Sequence, residues 1–102
     1  FLPYGTQKLV ELARALVNDP RMVLLDEPAA GLNSGEKDQF KDILRKVKDK
    51  GITVLLVEHD MGVVMDISDT ITVMNFGHKI AEGTPREVSE NADVIEAYLG
   101  VN

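Results

Sequence analysis

Apolar positions run together without a polar partner face at residues 22–25 (MVLL) and 52–57 (ITVLLV). Each run stops abruptly at charge, Asp26-Glu27 after the first and Glu58-His59-Asp60 after the second. Such runs, bounded by turn residues, predict strands buried on both faces of a parallel sheet. Between them Phe40, Ile43, Leu44 and Val47 recur at helical spacing, and charged residues cover the remaining surface. Asn33 and Glu36 have the spacing of a capping box at the start of that helix. Gly51 suits the left-handed position that ends it. Asp42 and Lys46 are placed to pair one turn apart, and the charged coat otherwise reads as a solvated face. Strand, helix, strand makes the two strands parallel and the crossover right-handed. Asp26-Glu27 and Glu58-His59 then meet at the carboxyl edge of one sheet, where open α/β sheets bind ligands.

The rest of the chain is punctuated in the same way. Pro3 and Gly5 predict a turn over residues 2–7, with Thr6 as N-cap of the helix that follows. That helix runs from Gln7 to about Asn18, with Leu9, Leu12, Ala13 and Leu16 facing inward, and Asn18-Asp19-Pro20 ends it. Asp60 caps a helix carrying Met61, Val64, Met65 and Ile67 at core spacing. Residues 70–75 and 78–82 read as two strands joined around Phe76-Gly77, with His78 exposed at the turn. Thr84-Pro85-Arg86-Glu87 starts another helix, with Pro at its first position and Glu at its third. A last short helix puts Val94, Ile95, Tyr98 and Leu99 on one side and ends at Gly100.

Composition narrows the class. At 102 residues and 44% hydrophobic, the chain is one domain or a piece of one, with a core of modest size. It opens at Phe1-Leu2 and enters a turn at once, so it reads as a piece of a longer protein. The formal charge of −6 argues against a nucleic-acid surface, which needs a clustered positive field. Without cysteine there are no disulfides and no thiolate metal sites. No stretch is long and apolar enough to span a membrane.

The chemistry lies at the strand ends. Asp26 and Glu27 are adjacent, so in an extended chain they point to opposite sides. One can hold a cation while the other orients water. Pro28 keeps Glu27 out of the helical region, and Ala29-Ala30-Gly31 forms a small, close-packing loop. Alone, an Asp-Glu pair is usually a solvated strand end, and a histidine at a helix start is usually structural. Gathered on one sheet edge, they favour a role in polarising or positioning a substrate. The turn at residues 2–7 leads into a helix N-terminus, which suits an anion, although an ordinary capped helix explains that segment alone.

The order of these pieces resembles the second half of the ATP-binding subunit of an ABC transporter. LPYGTQ at residues 2–7 is similar to the signature usually written LSGGQ, and MVLLDEP at 22–28 to the Walker B strand with its catalytic glutamate. AAGLN at 29–33 is similar to the D-loop and VEHD at 57–60 to the H-loop. With EHDM, AEGTP and the tail DVIEAYLG, the pattern is similar to the branched-chain amino-acid importer subgroup. The resemblance implies a partial P-loop NTPase-type three-layer α/β fold, parallel strands with flanking helices and a C-terminal hairpin, spanning residues 1–102 as one C-terminal piece.

The resemblance also implies roles. Asp26 would help hold Mg²⁺, Glu27 would orient the attacking water, and His59 would register the γ-phosphate. Pro3, Tyr4, Gly5, Thr6 and Gln7 would contact ATP held by the opposite subunit, with Gly31 and Asn33 communicating across that dimer. Its partners would be a second ATP-binding subunit and membrane permeases, reached from the cytoplasmic face, with no nucleic acid. Pro3 stands where the signature has serine, Tyr4 where it has glycine, Thr6 where it has glutamine, and Asn33 where the D-loop has aspartate. No G-x-x-x-x-G-K-[ST] run occurs, so nothing in these residues cradles the β- and γ-phosphates. In the family's sheet order the missing P-loop strand lies between the strands at 52–57 and 70–75. The 102-residue chain alone is therefore expected to be inactive. Two other readings stay open: a soluble ABC-type ATPase acting on nucleic acid or ribosomes, and a non-catalytic dimerisation or binding piece.

Overall fold

Parallel pairing of β1 (Met22–Asp26) with β2 (Thr53–Val57) frames the first part of the molecule, in the register Met22–Thr53, Leu24–Leu55 and Asp26–Val57. The computed structural model describes residues 4–99. Their contacts divide the chain into two units, residues 1–63 and 64–102. The architecture is α/β, with one parallel and one antiparallel strand pair among the described residues.

In the first unit α1 spans Tyr4–Leu16 and α2 spans Ser34–Asp49. The capping box at α2 is complete: Asn33 Oδ1 accepts the Glu36 N–H at 2.8 Å, and Glu36 Oε1 accepts the Asn33 N–H at 3.0 Å. Gly51 follows the helix at φ +84, the left-handed backbone expected of it. Val23, Phe40, Leu44 and Val47 are buried, and α2 contacts β2. Asp42 pairs with Arg45, at 3.1 Å, where Lys46 was expected.

The structure departs from the sequence pattern in three places. The predicted turn over residues 2–7 is helical from Tyr4 onward, so Thr6 lies inside α1 and is not its N-cap. Proline just before a helix and glycine within it suit a helix start as well as a turn, and Gly5 is buried against the Glu36 carboxylate. Pro3 lies outside the described residues. Ala13 is exposed, and α1 buries only Gly5 and Leu12 fully.

The third correction concerns the sheet. Burial along β1 and β2 alternates: Val23, Leu25, Val54 and Leu56 face inward, whereas Met22, Leu24, Leu55 and Val57 are exposed. The crossover helix covers one face, and no described element of this unit covers the other. Leu24 and Leu55, cross-strand partners, are 68% and 52% exposed. An apolar face beside free strand edges is a site for association. The isolated chain is therefore expected to self-associate at micromolar concentration. In sedimentation velocity, Leu24→Lys with Leu55→Glu should shift the population toward monomer.

The second unit is built on β3 (Ile71–Asn75) and β4 (His78–Gly83), an antiparallel hairpin with a bulge between Val73 and Met74. Phe76 and Gly77, at φ +49 and +78, form its two-residue turn, as the sequence predicts. His78 is exposed. α3 (Met61–Ile67) contains the division between the units. α4 (Pro85–Ser89) has the predicted capping box of Thr84 and Glu87. α5 (Ala92–Val94) starts at the Asn91 cap and widens into a π-helical turn over Ile95–Leu99. Val64, Ile71, Val73, Val88 and Val94 form the core of this unit. The Tyr98 hydroxyl donates to the Met74 carbonyl. The predicted helix end at Gly100 lies outside the described residues.

Candidate active-site edge

The carboxyl ends of β1 and β2 bring Glu27 and His59 together. The last β1 residue, Asp26, is exposed and stands opposite Val57 in register. One step on, the Glu27 N–H donates to the Val57 carbonyl at 2.7 Å, fixing the backbone of one strand end on the other. Glu27 has φ +47, left-handed backbone that a residue with a side chain adopts at a cost. Pro28 excludes right-handed helix at Glu27, and the turn closes where the Ala30 N–H donates to the Glu27 carbonyl at 3.2 Å. Glu27 Oε1 is 3.0 Å from His59 Nε2, and the side chains are 51% and 71% exposed.

A second tier holds the two loops behind that pair. Glu58 Oε2 accepts the N–H of Ala29, in the loop after β1, at 3.1 Å. Its other oxygen accepts the N–H groups of His59 at 3.1 Å and Asp60 at 3.3 Å. Asp60 caps α3 by accepting the Val63 N–H at 3.1 Å, and its other oxygen meets Lys37 Nζ at 2.6 Å. The Lys37 ammonium holds the Asp60 carboxyl below its ordinary value of 3.8; the Val63 and Gly62 N–H groups add to this, and partial burial opposes it.

That linkage has a direction. Asp60 is depressed in the folded chain, so its contribution to stability is complete above the unfolded value and is lost as pH falls through the folded one. Urea titrations should show stability declining below about pH 4, and Lys37→Met should flatten that acid limb.

Sequence reasoning had assigned Lys37 to a solvated coat and gave Glu58 no role of its own. A signal for Glu58 existed. With a period of two it shares the half-buried side of β2 with Val54 and Leu56, opposite His59. Nothing in the pattern pointed to Lys37.

The signature-like segment approaches the loop after β1. A Cβ on Gly31, which has φ +79, would lie 2.7 Å from Tyr4 Cε2, so the Tyr4 ring packs on its backbone. Lys8 Nζ stands 5.4 Å from the Tyr4 ring centroid. Gly5 abuts the Glu36 carboxylate of the capping box that Asn33 begins. Tyr4, Gly5, Gly31 and Asn33 are thus gathered near one another, whereas Thr6 and Gln7 lie exposed on α1.

Among the described residues no three His, Cys, Asp or Glu side chains cluster as a metal cage. The single exposed carboxylate of Asp26 fits a magnesium ion, which keeps its waters and draws most of its remaining ligands from phosphate. A shallow cavity lined by Asp19, Arg21, Lys50 and Thr53 lies at the opposite, amino end of the strands, away from this chemistry.

Comparison with known proteins places the chain in a family. The family model described as branched-chain amino acid ATP-binding cassette transporter matches residues 78–102. BraF of Pseudomonas aeruginosa, a high-affinity branched-chain amino acid transport ATP-binding protein, is 51% identical over 100 residues, 97% of this chain and 39% of that protein. LivG of Escherichia coli K12, of the same description, is 47% identical with the same coverage. An ATP-binding cassette of an ABC transporter, solved in its ADP conformation, superposes with a TM-score of 0.86 at 38% identity, over 98% of this chain and 41% of that one. The chain therefore spans about two-fifths of the relatives it matches.

Strand order, site edge and these likenesses define the class: the chain belongs to the ATP-binding proteins of ABC transporters and carries part of their P-loop NTPase-type fold. Within that class it falls with the branched-chain amino-acid transport group.

Proposed function

We propose that this chain is the segment, from the signature motif onward, of an ATP-hydrolysing subunit that powers import of branched-chain amino acids. The observation that carries the reading is the 3.0 Å pair of Glu27 and His59 at adjoining strand ends, in a chain half identical to a branched-chain amino acid transport ATP-binding protein. Glu27 is exposed and can orient a water for attack and take up its proton. His59, with Nε2 3.0 Å from the Glu27 carboxylate, stands beside it at the edge where a terminal phosphate would arrive. Phosphoryl transfer rests on such positioning and on charge neutralisation more than on covalent help. Asp26 would hold Mg²⁺, which supplies charge neutralisation at the phosphates.

Tyr4, Gly5 and their neighbours Pro3, Thr6 and Gln7 would face ATP bound by a second such subunit, with Gly31 and Asn33 at the same junction. The permease partners and a place on the inner face of the membrane follow from the transport assignment. No helix among the described residues is long and apolar enough to cross a membrane.

The 102-residue chain lacks the phosphate-cradling G-x-x-x-x-G-K-[ST] run. Calorimetry with Mg-ATP on this chain alone is expected to show no micromolar binding and no turnover. The complete subunit should show both, and an inactive complete subunit would overturn the assignment.

A further inference from the structure

We infer that Glu58 is a positioning residue that sets the distance between the two catalytic loops, an inference that rests on the reading of Glu27 and His59 given above. Its carboxylate hydrogen-bonds to the backbone of both, beyond the Glu27–Val57 bond that joins the strand ends. Oε2 accepts from Ala29, two residues beyond Glu27, and Oε1 accepts from His59 itself and from Asp60. Glu27 and His59 are more than half exposed, and a polar side-chain contact open to solvent holds its geometry weakly. Glu58 is half-buried, and charge-assisted bonds to backbone N–H groups are among the stronger hydrogen bonds in proteins. The loops are therefore held from behind, at backbone level, and the exposed pair at the front inherits their spacing. Ala29 is 2% exposed, so its N–H has no solvent to turn to when the carboxylate is withdrawn.

The side-chain length is the testable part. Glu58→Asp keeps the charge and can still cap the two adjacent N–H groups, as a short acid does locally, but its carboxylate retracts by one methylene and loses Ala29. Residue-resolved amide exchange on the 102-residue chain reads this directly. Ala29 should exchange at least about tenfold faster in the variant, while the Leu24 and Leu55 strand amides keep their protection. In the complete subunit Glu58→Asp should lower kcat for ATP about tenfold or more with KM unchanged, the mark of an interaction that matters in the transition state. Glu58→Gln, of full length but with one accepting oxygen, should fall between wild type and Asp in both readouts.

Unchanged exchange at Ala29 overturns the tie. Faster exchange with unchanged kcat shows a structural bond only and overturns the positioning role. If the strand amides lose protection in Glu58→Asp, the comparison passes to Glu58→Gln under the same criteria, and collapse of both variants makes Glu58 a folding residue and overturns the inference. A wild-type complete subunit without ATPase activity would remove the functional reading, while the exchange experiment would still decide whether the carboxylate ties the loops.

Discussion

Glu27→Gln in the complete ATP-binding subunit is expected to cut the turnover of ATP by about 10²–10⁴-fold, the range typical of a lost general base. Glutamine keeps the length of the side chain and can still reach His59 Nε2, which lies 3.0 Å from the carboxylate. It can no longer take a proton from water or carry the charge that orients it. Nucleotide affinity should change little, because Glu27 is proposed to meet the attacking water and not the bound phosphates. Single-turnover hydrolysis and equilibrium nucleotide binding, measured on the same preparation, separate the two effects. Turnover near wild type would remove Glu27 from the chemistry and leave its contact with His59 as a structural feature.

The largest effect on stability is expected at Phe40. Its ring is 2% exposed in the first unit, whose buried set also includes Leu44, Val47 and Val23. Phe40→Ala leaves a cavity where a ring was, at a cost of about 3–5 kcal/mol. A domain of this size has about 5–15 kcal/mol in all, and this unit leaves one sheet face uncovered. The substitution should therefore bring unfolding close to ambient conditions, seen as an early urea midpoint by circular dichroism. Lys46→Ala, exposed on α2, is the matched control and should move the midpoint little. Equal midpoints for the two variants would show that α2 does not anchor the unit.

How much of this could be read from residues alone differs from element to element. The meeting of Glu27 with His59 was legible because two apolar runs joined by one helix fix the strand direction, and direction fixes which ends coincide. Capping boxes at Asn33 and Thr84 and the Phe76-Gly77 turn were legible because they are local: the partners lie within a few residues. The start of α1 was misread because proline and glycine mark a first helical turn and a loop alike. The choice was made by tertiary packing of Gly5 on Glu36, which lies 31 positions away in the chain. The sheet was misread for a different reason. An apolar run states what a strand is suited to, and Leu24 and Leu55 show that suitability without cover. Glu58 was half legible: its alternation gave the side it faces, but not which distant N–H it meets.

The left-handed backbone at Glu27 carries a consequence for how this segment tolerates change. A residue other than glycine there costs about 1–3 kcal/mol, so folding by itself would favour glycine at position 27. In a mutant library screened solely for soluble expression, glutamate should be depleted at this site. The same library screened for growth on imported amino acid should restore it, because the strain would then be retained for the sake of catalysis.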